Sequence, residues 1–291
     1  MLCPRNCGAD RGSGEIGYCR VDARPRVARA ALHFWEEPCI SGENGSGTVF
    51  FSGCNLGCVF CQNQAISRGQ AGKIITVERL AEIFLEQEAR GASNLNLVTP
   101  SHYTPAVVAA LRLAKGNGFS LPVVWNSSSY EKVETLKILE GLVDVYLPDM
   151  KYKAERISSR YANAADYFPT ASAALAEMHR QQPRLVFDGT GLLRKGCLVR
   201  ILLLPGCLED AKQLLASLFA RYGNSVYFSL MAQYTPVGDL RNYPEINRRI
   251  REDEYEEWLE YAVSLGVEQA FVQELDSADV SFVPEFNGKG V

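Results

Sequence analysis

The chain has 291 residues, of which 47% are hydrophobic and 22% are charged, and its formal net charge is −4. This size allows one α/β domain with a substantial core or two small domains, and the composition is that of a soluble globular protein. The charge argues against a nucleic-acid partner, and the apolar runs are too short to span a membrane. No signal peptide is visible, so we expect a cytoplasmic protein, and its nine cysteines argue for metal binding rather than a disulfide framework, with Cys197 and Cys207 as core or loop thiols.

The predicted elements divide the chain into a short first region and a long second one. Residues 1–45 are rich in Cys, Gly and Arg and show little periodicity, so we expect an irregular Cys-rich N-terminal lobe. From residue 46 onward, short apolar runs alternate with segments of helical spacing, and an irregular tail covers residues 281–291. The predicted strands are 49–51, 95–99, 121–125, 143–147, 198–204, 226–230 and 269–272. The predicted helices are 76–90, 105–116, 131–142, 167–181, 209–222 and 252–266.

Alternation of helices with nearly continuous apolar strands predicts an α/β fold with a parallel sheet covered by helices. About six such units would form a partial (β/α)6 barrel over residues 46–291. In parallel barrels the C-terminal ends of the strands carry the chemistry. The residues that follow each apolar run are therefore the candidate site residues.

Three cysteines, Cys54, Cys58 and Cys61, lie in one loop directly after the first of these strands. Thiolate sulfur is the ligand that iron–sulfur clusters require, and three sulfurs would leave one iron of a four-iron cluster open for chemistry. Two glycines in the loop permit the tight backbone path around such a cluster. The alternatives are a zinc knuckle or buried free thiols. A structural zinc site needs four ligands, however, and the next histidine along the chain is His102.

Polar side chains close the later predicted strands. Arg200 is the strongest of them because a charge within an apolar strand must be paired or must face a polar cavity. The other candidates also have interpretations that need no functional site. Asn126 and the serines could be turn formers, His102 could cap the following helix, and Asp149 and Lys151 could form a surface ion pair. The candidates in chain order are Thr99, Ser101, His102, Asn126, Ser127, Asp149, Lys151, Arg200 and Gln233.

A second group of cysteines lies near the N-terminus. Cys3, Cys7 and Cys19 are spaced like metal ligands, and Cys39 could supply a fourth thiolate to close a structural zinc site or a second iron–sulfur cluster. The alternatives are buried free thiols, or a position for Cys39 near the Cys54 loop. Spacing alone does not distinguish zinc from iron.

Several motifs together resemble the radical S-adenosylmethionine (SAM) superfamily. The region from about residue 46 to 275 is similar to pyruvate formate-lyase activating enzymes, and the chain resembles most closely a PflX-like branch. The segments that carry the resemblance are residues 2–7, 36–42, 51–63, 146–152 and 229–234.

The resemblance implies specific roles for these residues. Cys54, Cys58 and Cys61 would bind a [4Fe-4S] cluster, and SAM would lie across the strand ends with Phe60 and Asn63 close by. Asp149, Lys151 and Arg200 would lie near SAM or the substrate. Activating enzymes usually carry Gly-Gly-Glu after the second strand to hold the SAM amino group, whereas this chain has residues 99–102 there. The hydroxyls of Thr99 and Ser101 and nearby backbone carbonyls are the candidate replacements.

The implied activity is reductive cleavage of SAM to a 5′-deoxyadenosyl radical, which abstracts a hydrogen atom from a substrate. The electron donor would be a flavodoxin or a ferredoxin, and the oxygen-sensitive cluster implies an anaerobic or microaerobic setting. One implied partner is a glycyl radical enzyme that the protein activates. The alternatives are a radical SAM enzyme acting on a small molecule or peptide, and a non-catalytic iron–sulfur protein.

Overall fold

The structure is a computed structural model that describes residues 2–273 and 283–291. The strands in these residues are β1 (Arg26–His33), β2 (Ser46–Phe51), β3 (Lys73–Ile74), β4 (Leu95–Val98), β5 (Val123–Ser127), β6 (Val145–Pro148), β7 (Val186–Phe187), β8 (Leu193–Leu202), β9 (Tyr227–Met231) and β10 (Ala270–Val272). The helices are α1 (Pro38–Ser41), α2 (Gln64–Ser67), α3 (Val77–Ala89), α4 (Thr104–Gly116), α5 (Val133–Lys137), α6 (Glu155–Ala162), α7 (Tyr167–Gln181), α8 (Leu208–Tyr222) and α9 (Glu252–Ser264). Short 3-10 turns occupy Arg11–Ser13, Ser101–Tyr103, Gly223–Ser225 and Pro244–Ile246.

The strands form one sheet in the order β10-β9-β8-β6-β5-β4-β2-β1-β3, with β7 attached to β8. Every neighbouring pair from β2 to β10 is parallel, whereas β1 runs antiparallel to both β2 and β3. At least one helix joins each strand to the next along this parallel series. Within the described residues the order has two ends, so the sheet is not closed. The predicted α/β class with a parallel sheet is confirmed, and the open order is compatible with a partial barrel.

All seven predicted strands of the second region overlap strands of the sheet. Every residue of β2, β4, β5 and β6 is buried. Burial on both faces is the reason such strands appear in the sequence as continuous apolar runs rather than alternating ones. Large buried side chains fill the space around the sheet, among them Phe51, Phe84, Trp125, Tyr146 and Trp258.

The six predicted helices are all present, one of them shortened, and α6 is a further helix that the spacing did not predict. Thr76 begins α3 as expected, since its hydroxyl accepts a hydrogen bond from the backbone N–H of Arg79 at 3.1 Å. The predicted helix 131–142 is shortened to α5. Beyond it the backbone N–H groups of Leu139 and Leu142 bond to carbonyls three residues earlier, at Leu136 and Leu139, so the α-helical pattern is lost.

The first region is more regular than expected. Residues 26–33 form β1, and its hydrogen bonds to β2 add a strand to the sheet. A bulge between Val27 and Arg29 buries both Val27 and Ala28, which hides the alternation that marks a strand in sequence. The prediction of an irregular lobe over residues 1–45 is therefore wrong for β1 and for α1. The domain division at residue 45 stays a prediction.

The last described residues lie along the free side of β1. The backbone N–H of Gly288 donates to the carbonyl of Ala28 at 3.0 Å, and the N–H of Ala30 donates to the carbonyl of Lys289 at 2.9 Å. Residues 281 and 282 of the predicted tail lie outside the described residues. No helix in the described part of the chain is long and apolar enough to cross a membrane.

Candidate functional site

A cavity of about 250 Å³ lies at the C-terminal ends of the parallel strands. Parallel strands direct the residues after their C-terminal ends toward one side of the sheet, so segments far apart in sequence meet there. The cavity brings together most of the predicted site residues: Cys54, Cys58, Phe60, Cys61, Asn63, Thr99, Asn126, Ser127, Asp149, Lys151, Arg200 and Gln233.

The loop that carries the three cysteines is shaped by a glycine. Gly53 has a φ of 89°, and a Cβ atom there would lie 2.7 Å from the carbonyl oxygen of Cys19 and 2.7 Å from a methyl group of Val21. The next residue, Cys54, donates its backbone N–H to the same carbonyl of Cys19 at 3.3 Å. The N-terminal segment thus fixes the start of the cysteine loop, and only glycine fits at its first turn.

The sulfur atoms of the loop lie in a low-polarity environment. Burial raises the pKa of Cys58 to about 12 and also raises the pKa of Cys61, although the nearby ammonium of Lys151 opposes both shifts. The hydroxyl of Tyr152 donates to the sulfur of Cys58 at 3.3 Å. Because metal ligation requires thiolates, binding at this loop would release protons.

The donor set fits an iron–sulfur cluster better than a single ion. In residues 2–273 and 283–291, no group of three or more Cys, His, Asp or Glu side chains is arranged to hold one metal ion. Three soft sulfur ligands on one loop, beside a cavity with room for more than an ion, suit a polynuclear cluster.

A network of charges centred on Arg200 forms the other wall of the cavity. Its guanidinium donates to Asp149 at 2.7 Å, to Glu36 at 2.9 Å and to the side-chain oxygen of Asn126 at 2.7 Å. Lys151 completes the network with a 2.8 Å contact to the second carboxylate oxygen of Asp149. Burial by itself would raise the pKa of Asp149, but Arg200 and Lys151 together outweigh it and hold that pKa below its usual range.

Glu36, which lines the cavity, and the neighbouring Glu37 were not among the predicted site residues. Glu36 accepts hydrogen bonds from Arg200 and from the side-chain amides of Asn96 at 2.8 Å and Asn126 at 3.3 Å. Glu37 is buried beside it, and burial raises its pKa. The available signal was Arg200 itself, since a cation inside a strand requires a carboxylate from another part of the chain.

Ser101 and His102 lie outside this cavity. Both are buried in the 3-10 turn after β4, and a ring nitrogen of His102 lies 2.9 Å from the carbonyl oxygen of Ser52. Thr99 alone of the predicted residues 99–102 lines the cavity, and it adopts a left-handed backbone conformation with a φ of 59°.

The N-terminal cysteines are only partly brought together. Cys3, Cys7 and Cys19 line a second cavity of about 250 Å³. Cys39 instead packs in an apolar cluster with Ile40 and residues of β5, β6 and β8, and burial raises its pKa to about 12. The structure therefore separates Cys39 from the other three thiols.

Comparison with known proteins agrees with this geometry. A family model described as a 4Fe-4S single cluster domain matches residues 40–162, which contain the cysteine loop. The chain is 29% identical over 268 residues to an uncharacterized protein of Methanocaldococcus jannaschii, and the alignment covers 90% of this chain and 73% of that protein. The family-model match supports an iron–sulfur protein with a 4Fe-4S cluster in this part of the chain.

Replacing Arg200 should destabilise the protein strongly. Arg200→Met leaves Glu36 without its cation and Asp149 with only Lys151, so we expect a loss of about 3–5 kcal/mol in the free energy of unfolding. Arg200→Lys keeps the charge but makes fewer hydrogen bonds, so its loss should be smaller. Denaturant unfolding under anaerobic conditions measures both. A methionine variant as stable as the lysine variant would contradict this account.

The two glycines of the cysteine loop should differ in their tolerance of a side chain. Gly53→Ala places a methyl group against Cys19 and Val21 and should cost at least about 2 kcal/mol. Gly57 also has a positive φ, but the atoms nearest to an added Cβ there belong to Tyr18 at 3.9 Å, so Gly57→Ala should cost about 1 kcal/mol. Unfolding free energies and iron content of the reconstituted variants test this, and equal effects would refute it.

Proposed function

We propose that this protein is a radical SAM enzyme in which Cys54, Cys58 and Cys61 hold a [4Fe-4S] cluster with one open iron. The main support for this proposal is that these three thiols line the same strand-end cavity as Asp149 and Arg200. When bound and reduced, a cluster held by these three cysteines would supply one electron for breaking the C5′–S bond of SAM, and the residues of the cavity would hold SAM and the substrate for the hydrogen transfer that follows. A reduced flavodoxin or ferredoxin would supply the electron.

The chain itself would position the reactants and exclude water. Phe60 precedes the last cysteine of the loop and packs edge-on against Tyr234 at a centroid distance of 5.7 Å, so it offers an apolar wall for an adenine ring. The side-chain amide of Gln62 donates to the carbonyl of Gln233 at 3.1 Å and ties the cysteine loop to the end of β9. Thr99 is our candidate for holding the SAM amino group, since Ser101 lies away from the cavity.

The residues that form the cavity wall indicate the size of the substrate. Trp35 and Glu36 from the N-terminal region, and Val283 and Pro284 from the C-terminal one, form part of its wall. A cavity bounded by both ends of the chain favours a small molecule or a short peptide. Activation of a glycyl radical enzyme, the first hypothesis from the resemblance, needs an open face that admits a loop of the partner. A simple electron carrier would need neither the cavity nor the charge network, so we rank it last.

The cysteine loop can be tested directly. Anaerobically reconstituted protein, given SAM and dithionite, should produce 5′-deoxyadenosine and methionine, measured by liquid chromatography and mass spectrometry. Alanine at Cys54, Cys58 or Cys61 should abolish this production because each removes a cluster ligand. Cys207→Ala is the matched control, since this half-buried thiol lies outside the cavity and should leave production unchanged. Retained production in any of the three loop variants would refute the proposal.

A second measurement separates the two substrate hypotheses. Candidate glycyl radical enzymes are incubated with the reduced protein and SAM, and a stable glycyl radical is sought by electron paramagnetic resonance. Its appearance would favour activation of a protein partner. If no glycyl radical appears and 5′-deoxyadenosine forms only when a small molecule or peptide is added, the result would favour an enzyme that acts on a small molecule or short peptide.

A further inference from the structure

The second cavity carries a group of ligating side chains that the proposed function does not use. Its wall includes Cys3, Cys7 and Cys19 together with Arg11 and His102. The two cavities meet at Gly53, which lines the strand-end cavity and is approached by Cys19 and His102 of the second one. In a chain with no disulfide among its described cysteines, three thiols around one space are typical of a metal site.

The thiols are close to one another and partly prepared for ligation. A Cβ atom on Gly17 would lie 3.2 Å from the sulfur of Cys7 and 3.6 Å from that of Cys19, so both sulfurs border one point. Backbone N–H groups of Ala9 and Tyr18 hydrogen-bond to Cys7 and lower its pKa. Such N–H groups stabilise thiolate sulfur, and the guanidinium of Arg11 in the same wall adds a compensating positive charge.

A fourth donor is available on His102, which lines the same cavity. It is 2% exposed, and its Nε2 lies 2.9 Å from the carbonyl oxygen of Ser52, which requires Nε2 to carry the proton and donate it. Nδ1 then holds a free lone pair, yet it is buried and has no hydrogen-bond partner among the described residues. A histidine that ligates a metal typically donates its other ring N–H to a carbonyl in this way.

We propose that Cys3, Cys7, Cys19 and Nδ1 of His102 bind a second metal centre, separate from the Cys54 loop. The chemistry is that of a soft, thiolate-bound centre, either Zn²⁺ or an iron–sulfur cluster, with one imidazole ligand. Each cysteine loses its proton to solvent on binding, whereas the neutral imidazole binds without losing one. Among the described residues these donors do not have the spacing of a single ion, so an iron–sulfur cluster is favoured over zinc, as at the Cys54 loop.

The position of this centre gives it a structural role. The carbonyl of Cys19 accepts the N–H of Cys54, and Arg5 donates to the carbonyls of Asn55 at 2.6 Å and Leu56 at 3.0 Å. The N-terminal segment thus contacts the Cys54 loop through Arg5 and Cys19, and the same segment would ligate the second metal. Ordering of this segment by the metal would hold the cysteine loop in place.

The test is the metal content of the full-length protein. Anaerobically purified wild type should contain, beyond about four irons at the Cys54 loop, either one zinc or additional iron and sulfide per chain, measured by plasma mass spectrometry and sulfide analysis. Replacing Cys3, Cys7 and Cys19 together with serine should remove this increment and leave the rest. Replacing Cys54, Cys58 and Cys61 should do the reverse, so failure here is distinguishable from failure of the proposed function. Cys39→Ala is the control and should retain both centres.

His102 is tested separately because the triple variant could fail to fold. His102→Ala keeps all three thiols, so its circular dichroism spectrum should match that of wild type. It should nevertheless release the second metal to a chelator at least tenfold faster than wild type. Ser101→Ala, one residue away and without a ring nitrogen, should behave as wild type. Wild-type protein with no metal beyond the Cys54 centre, unchanged metal in the triple variant, or unchanged release from His102→Ala would each overturn the proposal.

Discussion

The buried guanidinium of Arg200 is the constraint on which the arrangement of the site depends. It sits on β8, whose neighbouring side chains are apolar, and removing it from water costs several kcal/mol unless it is paired. Its partners come from two distant places, Glu36 before α1 and Asp149 after β6. The requirement to neutralise one charge therefore draws the N-terminal region into the interior and aligns the end of β6 beside the cysteine loop.

Lys151 extends the same network toward the sulfur atoms. Its ammonium pairs with Asp149 and lowers the pKa of Cys58 against the larger opposing effect of burial. The cavity consequently has a positive group between a carboxylate and a thiol, and an apolar wall around Phe60 on the adjoining side. Each charged member of the network is held by another member.

Sequence reasoning recovered the parts of the fold that burial determines directly. The strands of the parallel series are apolar because both faces are covered, and the Thr76 cap at α3 is a local signal. The strand β1 was missed because its bulge breaks the alternation, and α5 was overextended because residues 138–142 keep helical spacing while forming 3-10 bonds. The positions of Glu36 and His102 relative to the cavity are determined by tertiary contacts. No local pattern indicates that one reaches Arg200 or that the other turns away from the strand-end cavity.

The pairing of Gly288 and Lys289 with β1 has a consequence for the solution behaviour of the protein. Open sheets expose backbone N–H and carbonyl groups at their borders, and such borders recruit strands from other molecules. Here the short β3 covers one part of the border of β1, and the last described residues cover the next part. The C-terminal residues thus occupy backbone groups of β1 that would otherwise be open to a strand from another molecule.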